Sequence, residues 1–322
     1  MSEQHKTSIG GQAVMEGVMM RGPHKTAVAV RKSDGEIALK VDENGTKKKA
    51  KICKLPIIRG CINFVESLVL GMRALMYSAE QIDIEEEEAE SKFDKWLEDK
   101  LGDKLKDVVV YVAVFFSIIL SVGLFILLPS IISGAVEAIP NIKWLTGTKT
   151  FTSVFEGIMR MAIFLGYMAL VSRMKEIKRV FEYHGAEHKT IACYEAGEAL
   201  TVENVKKHKR FHPRCGTSFL LFVMIISIIV YAFLPRFDEY GKVIAILLRM
   251  GTRLLTLPIV AGLSYEVIKW AGRSKSKIVG AFSKPGLWLQ KLTTREPDDE
   301  QIEVAIASMQ PCIPDDKEED KW

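Results

Sequence analysis

The chain has 322 residues, 48% of them hydrophobic, with a mean hydropathy of +0.11 and a formal net charge of +4. So small a charge, with no basic stripe interleaved with aromatics, argues against a nucleic-acid partner. Five cysteines, odd in number and irregular in spacing, argue against a disulfide framework. The average conceals long apolar blocks separated by strongly charged segments, and blocks of about 20 apolar residues can span a bilayer. These features predict a mainly α, polytopic membrane protein with about four spans and a cytoplasmic cap that includes a small N-terminal β-element.

Residues 1–56 form a polar, glycine-rich segment. Its opening, MSEQHKTSIGG, lacks the apolar core of a signal peptide and is expected to stay on the synthesis side of the membrane. Gly10–Pro23 contains four glycines among Ala, Val and Met, a content that predicts close backbone packing against another part of the chain. A glycine-rich turn with Arg21 could also cradle an anion, but no G-x-x-x-x-G-K-[ST] is present. Thr26–Arg31 and Glu36–Val41 flank a turn at Asp34-Gly35 and read as a β-hairpin.

Residues 57–107 read as an amphipathic interfacial helix followed by a charged tether. Ile57–Ser78 is apolar but interrupted by Arg59, Asn63, Glu66 and Arg73, so it is expected to lie on or dip into the interface rather than cross. A basic tract, Lys47–Lys51, precedes it, and the acidic and basic segment Ile84–Lys106 follows.

Two transmembrane hairpins are predicted, over residues 108–171 and 218–263. The spans are Val108–Leu128, ended by Pro129; Phe151–Val171; Phe219–Leu234, ended by Pro235; and Val243–Leu263. Glu156, Arg160, Arg249 and Arg253 lie within spans, where isolated charges are costly, so they should face the bundle; pairing of Glu156 with Arg249 or Arg253 is expected. Residues 172–217 carry ten Lys and Arg, against Lys143 and Lys149 in one connecting loop and Arg236 and Lys242 in the other. This asymmetry predicts a multi-pass membrane protein with both termini and the central stretch in the cytoplasm.

The central stretch, residues 172–217, holds four of the six histidines: His184, His188, His208 and His212. His184-Gly-Ala-Glu187-His188 places two imidazoles and a carboxylate on one helix face, the H-x-x-E-H order in which two histidines hold zinc and the glutamate activates water. Glu195 continues the stripe, and Gly197 suits the helix end. His208, His212 and Cys215 follow at i, i+4 and i+7, but Pro213 and Gly216 make this second group bent or loop-borne. The candidate metal ligands are therefore His184, His188, His212, Cys215 and Glu195, with Glu187 as catalytic base. Imidazole and thiolate together favour a divalent metal of the zinc type. Histidine and glutamate are also ordinary on a solvated helix face, and His208 lies in a basic run.

The tail, residues 264–322, contains an interfacial anchor at Lys284–Leu292 using Leu287 and Trp288. Asp298 with Gln301 then resembles a capping box opening a short helix. Glu296 and Glu300 could reach the central site, although capping and dipole complementation explain acids there equally well.

Gly10-Gly-Gln-Ala-Val-Met-Glu-Gly-Val-Met, Ile58-Arg-Gly60, Tyr183-His-Gly-Ala-Glu-His-Lys189, Arg214-Cys-Gly216, Leu287-Trp-Leu-Gln and Leu292-Thr-Thr-Arg-Glu-Pro297 together resemble the YqhQ-like family of bacterial membrane proteins. The resemblance covers nearly the whole chain. It implies a domain of unknown function often labelled a predicted metal-dependent enzyme, and it places weight on His212 and Cys215 rather than His208.

Three functions fit these residues. One is a membrane-anchored metal-dependent hydrolase. Another is a non-enzymatic assembly factor or chaperone whose cap is fixed by a structural metal or a hydrogen-bonded histidine cluster. The third is a small transporter or lipid-handling protein built on the intramembrane charges, which would need a homo-oligomer. The lipid bilayer is the expected partner in all three, with a protein partner or a second copy left open.

Overall fold

The computed structural model describes residues 5–45, 50, 53, 55–82, 112, 115–117, 119–137, 139, 149–212, 214–235, 237, 239–273 and 277–321. Most of the Lys47–Lys51 tract, the whole of Ile84–Lys106 and the first residues of the Val108–Leu128 span lie outside the described residues. The chain divides into two compact units, Met1–Asp83 with Tyr167–Val230 and Leu234–Trp322, and Ile84–Gly166 with Tyr231–Phe233.

The first unit opens with a four-stranded antiparallel sheet, β1 (Gly10–Val14), β2 (Gly17–Arg21), β3 (Lys25–Arg31) and β4 (Ile37–Glu43), in sequential order. The expected hairpin is present as β3–β4, with Gly35 at φ 86° in its turn. The glycine-rich stretch before it forms β1 and β2. Their turn places Glu16, not glycine, at φ 49°. A non-glycine residue there is held by tertiary contacts rather than by turn chemistry. Arg179 pairs with the Glu16 carboxylate and the Tyr183 hydroxyl donates to it at 3.1 Å.

Side chains of a strand alternate between faces, and the buried residues of β2 and β3 divide accordingly. Val18, Met20, Ala27 and Ala29 join one apolar cluster, whereas Met19, Val28 and Val30 join another. The second cluster is covered by α1 (Ile58–Gln81), through Ala74, Leu70, Leu75 and Tyr77. The other face of α1 leaves Val65, Leu68, Val69, Met72 and Met76 exposed, at the i, i+3, i+4 spacing of a single stripe.

In the second unit, a widened π turn at Gly123–Leu127 leads directly into α2 (Leu128–Glu137). Pro129 was expected to end the first span, but the helix continues through it, and the apolar run extends over Phe115–Val136. The reason is local: Leu128 N–H reaches back to Gly123 in the i→i−5 pattern. The wider turn gives room to the proline ring, which cannot donate to the ladder. In the same unit Arg160 donates to the Phe125 carbonyl at 2.9 Å and lies over the Tyr231 ring, and Glu156 is buried. Both residues belong to α3 (Lys149–Val171), which contains the predicted Phe151–Val171 span.

The remaining helices are α4 (Lys175–Glu195), α5 (Val202–Lys207), α6 (Gly216–Ala232), α7 (Lys242–Arg273), α8 (Lys277–Thr293) and α9 (Asp299–Met309). Among the described residues, three helices are long and apolar enough to cross a membrane: Phe115–Val136, Phe151–Val171 and Leu247–Trp270. The predicted Phe219–Leu234 span corresponds to α6, a shorter apolar helix of 17 residues.

The start of α1 packs on α7. Arg59 Nε donates to Glu266 at 2.6 Å, and Cys61 Sγ donates to the Pro258 carbonyl at 2.8 Å. Glycines permit this approach, because a Cβ at Gly60 would lie 2.9 Å from Gly262 Cα. Farther along the chain, α9 opens with the expected capping box. Asp298 accepts from Gln301 N–H, and the Gln301 side chain accepts from Asp298 N–H. Its apolar face, Ile302, Ala305, Ile306 and Met309, covers the sheet face opposite α1 and packs on α4.

The 293–297 segment lies flat on α4. Arg295 N–H donates to the Phe181 carbonyl at 2.8 Å, and a Cβ at Gly185 would collide with the Arg295 carbonyl. Gly185→Ala is therefore expected to destabilise the protein by about 1–3 kcal/mol, the usual cost of overpacking against backbone. Gly10→Ala, whose Cβ meets nothing within 4 Å, should be near neutral. Thermal unfolding of the two variants in detergent compares them directly.

Candidate metal centre

The H-x-x-E-H residues lie on α4, as their spacing predicts. The helix has one face against the sheet through Tyr183 and Ala186 and is buried continuously from Gly185 to Cys193 apart from Ala192. It ends after Glu195. Gly197, at φ 74°, reverses the chain as its N–H bonds Tyr194 and the Glu198 N–H bonds Cys193.

His184 Nδ1 lies 2.8 Å from the Thr293 carbonyl, and His188 Nδ1 lies 2.5 Å from the Arg210 carbonyl. A carbonyl oxygen only accepts, so each Nδ1 carries a proton, and Nε2 offers a lone pair whenever the ring is neutral, as it must be to bind a metal. This is the second-shell device that fixes metal-ligating histidines in one tautomer and one orientation.

Cys215 arrives from another direction, at the start of α6, where its Sγ lies 3.2 Å from His184 Nε2 and accepts the Thr217 N–H. One donor atom each from His184, His188 and Cys215 lie within 4.8 Å of one another. The His188 Nε2 atom is buried with no hydrogen-bond partner in the protein. Such an atom is costly unless something else satisfies it, and the donor set suits a zinc-type ion.

Glu187 lies beside this trio with its two oxygens in different situations. One accepts the Gly11 N–H at 3.1 Å; the other is buried without a hydrogen bond, 3.9 Å from His184 Nε2. Gly11 is needed for that approach, since a Cβ there would lie 3.0 Å from the Glu187 carboxyl carbon and 2.6 Å from the Met19 carbonyl.

The structure does not bring His212 and Glu195 into the same cluster. The His212 ring packs on His188 at 5.6 Å between centroids, but its Nε2 faces Glu195 at 3.7 Å. The Glu195 carboxylate also pairs with Arg214 and accepts the Thr7 N–H at 2.8 Å. The His212 backbone is clamped at both polar atoms by the Gln290 side chain, at 2.9 and 2.7 Å. His208 lies elsewhere, near Cys193 and Glu198. Glu296 pairs with Lys189 at 2.6 Å, and Glu300 lies near Arg31, so neither tail acid reaches the trio.

Charge is distributed unevenly across this small volume. Burial alone would lower the His184 imidazole, but the adjacent Cys215 sulfur outweighs it and lifts it to about 9. Burial would raise the Cys215 thiol, yet the two imidazoles hold it well below its ordinary value. Burial pushes Glu187 above the usual carboxylate range and His212 below the usual imidazole range. Glu195 moves down: burial opposes ionisation, and the His212 contact together with Arg214 prevails.

Sequence reading missed Gly11, Gln290, Thr293 and Arg210. Three of these act through backbone atoms, which leave no side-chain signature. Gln290 falls within the Leu287–Gln290 motif but carries no chemistry that would single it out.

The ionised Glu195 contributes stability at pH values above the ordinary carboxylate range, and that contribution is lost as pH falls through its lower folded-state value. Glu195→Gln breaks a buried ion pair with Arg214, so it should cost about 3 kcal/mol near neutrality. The cost should shrink on acidification, and melting curves across pH 3–7 read both effects.

A family model described as "Protein of unknown function (DUF1385)" matches residues 55–315. The uncharacterized protein YqhQ of Bacillus subtilis (strain 168) is 35% identical over 312 residues, covering 95% of this chain and 92% of that protein. No solved structure matches the chain. With a match of this extent in both comparisons, the chain belongs to the DUF1385, YqhQ-like family.

Proposed function

We propose that this protein is a membrane-anchored, metal-dependent hydrolase, with His184, His188 and Cys215 as ligands of a zinc-type divalent ion and Glu187 as general base. The observation that carries this reading is the buried His188 Nε2 without a hydrogen bond, in a trio whose donor atoms lie within 4.8 Å of one another while both Nδ1 atoms are committed to backbone carbonyls. Three protein donors leave a fourth position for water or substrate, the arrangement of catalytic rather than structural zinc. His212 and Glu195, which could close that position, are engaged with each other, Arg214 and Thr7. An ion so held would supply Lewis acidity to a carbonyl or phosphoryl group and acidify water. Glu187 is suited to take the proton: Gly11 fixes one oxygen, the other is unengaged, and burial brings its basicity closer to neutrality.

In this reading the protein crosses a bacterial cytoplasmic membrane four times. The sheet, α4 and α9 pack into one cap, so the chain must return to the same side between residues 83 and 175 and again between 217 and 290. Phe115–Val136 and Phe151–Val171 satisfy the first condition as a hairpin. If Leu247–Trp270 crosses, α6 must cross as well; at 1.5 Å per residue its 17 residues reach roughly 25 Å, close to the bilayer core. The ten Lys and Arg of residues 172–217 favour a cytoplasmic cap, and the exposed stripe of α1 suits an interfacial position beside α7.

A second reading, a non-enzymatic assembly factor with a structural metal or a hydrogen-bonded cluster, draws on the 3.2 Å contact between His184 and Cys215, which already links two elements of the cap. Elemental mass spectrometry of detergent-purified protein separates the readings when joined to a functional assay in cells. His184→Ala/His188→Ala should lose one equivalent of metal relative to wild type. Glu187→Gln should keep that metal and the fold while reducing activity by about 10²–10⁴-fold, the usual contribution of a general base. Retention of activity in Glu187→Gln would favour the structural reading, and an unchanged metal content in the double histidine variant would exclude both metal-centred ones.

A further inference from the structure

A second cluster of donors lies at the outer edge of the cap, where α4 turns into α5. Cys193 Sγ, a Glu198 carboxylate oxygen and a His208 ring nitrogen lie within 4.8 Å of one another. They come from one helical hairpin, with Cys193 in the last turn of α4, Glu198 just past the Gly197 reversal and His208 as the C-cap of α5. The reversal at Gly197 is what folds Glu198 back over Cys193.

Two of the three, His208 and Cys193, are poorly satisfied by their surroundings. His208 Nε2 is buried without a hydrogen bond, its nearest acidic neighbour being Glu198 at 3.5 Å. The Cys193 thiol has only the Ala199 carbonyl, at 3.6 Å. That oxygen already accepts from Thr201 N–H at 2.9 Å and from Asn204 Nδ2 at 3.0 Å, which fills both its lone pairs. Glu198 is 43% exposed and gives an ion a path from solvent. Thiolate, imidazole and carboxylate at one point match zinc and its neighbours, not magnesium or calcium. Tetrahedral bond lengths of about 2.0–2.3 Å put such donors roughly 3.5 Å apart, a small closure from the observed spacing.

We propose that Cys193, Glu198 and His208 form a second, solvent-accessible zinc-type site, separate from the buried centre. The site clips α5 and the following loop to the end of α4. That loop carries the Arg210 carbonyl, two residues beyond His208, which receives the His188 Nδ1–H. An ion in the outer site therefore braces the backbone that orients a ligand of the inner one.

The test is a Co²⁺ titration of the full-length, detergent-solubilised protein, followed by absorbance, in the His184→Ala/His188→Ala background. One equivalent is expected to bind with a thiolate charge-transfer band. Adding Cys193→Ser should abolish the band, although Cys215 remains. Adding Glu198→Gln or His208→Gln should weaken binding at least tenfold. Glu198 is exposed, so its variant should melt as the parent does and separates ligation from folding. The proposal is overturned if the double histidine variant binds no cobalt, or if the band and affinity are indifferent to Cys193→Ser, Glu198→Gln and His208→Gln. Failure of the inner site reads out separately, as an unchanged total metal content when His184 and His188 are removed from wild type.

Discussion

A neutral imidazole that gives its Nδ1–H to a carbonyl has only an Nε2 lone pair left, and the rigid ring fixes where that nitrogen points. Two such bonds, to Thr293 and Arg210, govern the arrangement of the cap. Each requires a stretch of backbone without a regular partner of its own to be held against α4. The structure spends further contacts on holding them. Arg295 N–H ties the tail to Phe181, and Thr294 Oγ1 returns to the Gln290 carbonyl at 2.6 Å. Gln290 grips the His212 backbone on both sides. Three separated parts of the sequence thereby converge on one helix face.

The sheet plays a complementary part. Its central strands are covered on both sides, by α1 on one face and by α4 with α9 on the other. That burial sets β1 firmly enough for a single backbone N–H, from Gly11, to divide the two oxygens of Glu187 into one that is engaged and one that is not. A side chain at residue 11 would break the approach sterically. Gly17 and Gly22 make similar approaches to the Ala29 and Cys312 backbones, the close packing that the sequence implied.

Much of this was legible beforehand because it is encoded by periodicity. The face shared by His184, Glu187 and His188, the β3–β4 turn at Gly35, the helix end at Gly197 and the capping box at Asp298 all follow from spacing within a few residues. What spacing could not supply was the choice among His212, Glu195 and Cys215 as neighbours of the pair, since that depends on contacts between residues far apart in the chain. Strands β1 and β2 were also hidden. Glycine-rich, with an αL glutamate in the turn, they lack the alternation and turn chemistry by which strands are recognised. Pro129 was misleading for a local reason, since a π turn lets the helix pass through it.

The cap also has an order of assembly built into it. Thr7 bonds Asp320 through its hydroxyl at 2.5 Å and pairs with Lys321, while its N–H caps Glu195. The sheet face opposite α1 is covered in part by α4 and completed only when α9 arrives, some 260 residues after β4 by subtraction of their positions. During synthesis, then, the strands must wait through most of the chain with that face incompletely covered, and contacts of such long sequence separation form late and slowly. Biogenesis of this protein is therefore the stage most exposed to misfolding, because the sheet stays partly uncovered until α9 has been made.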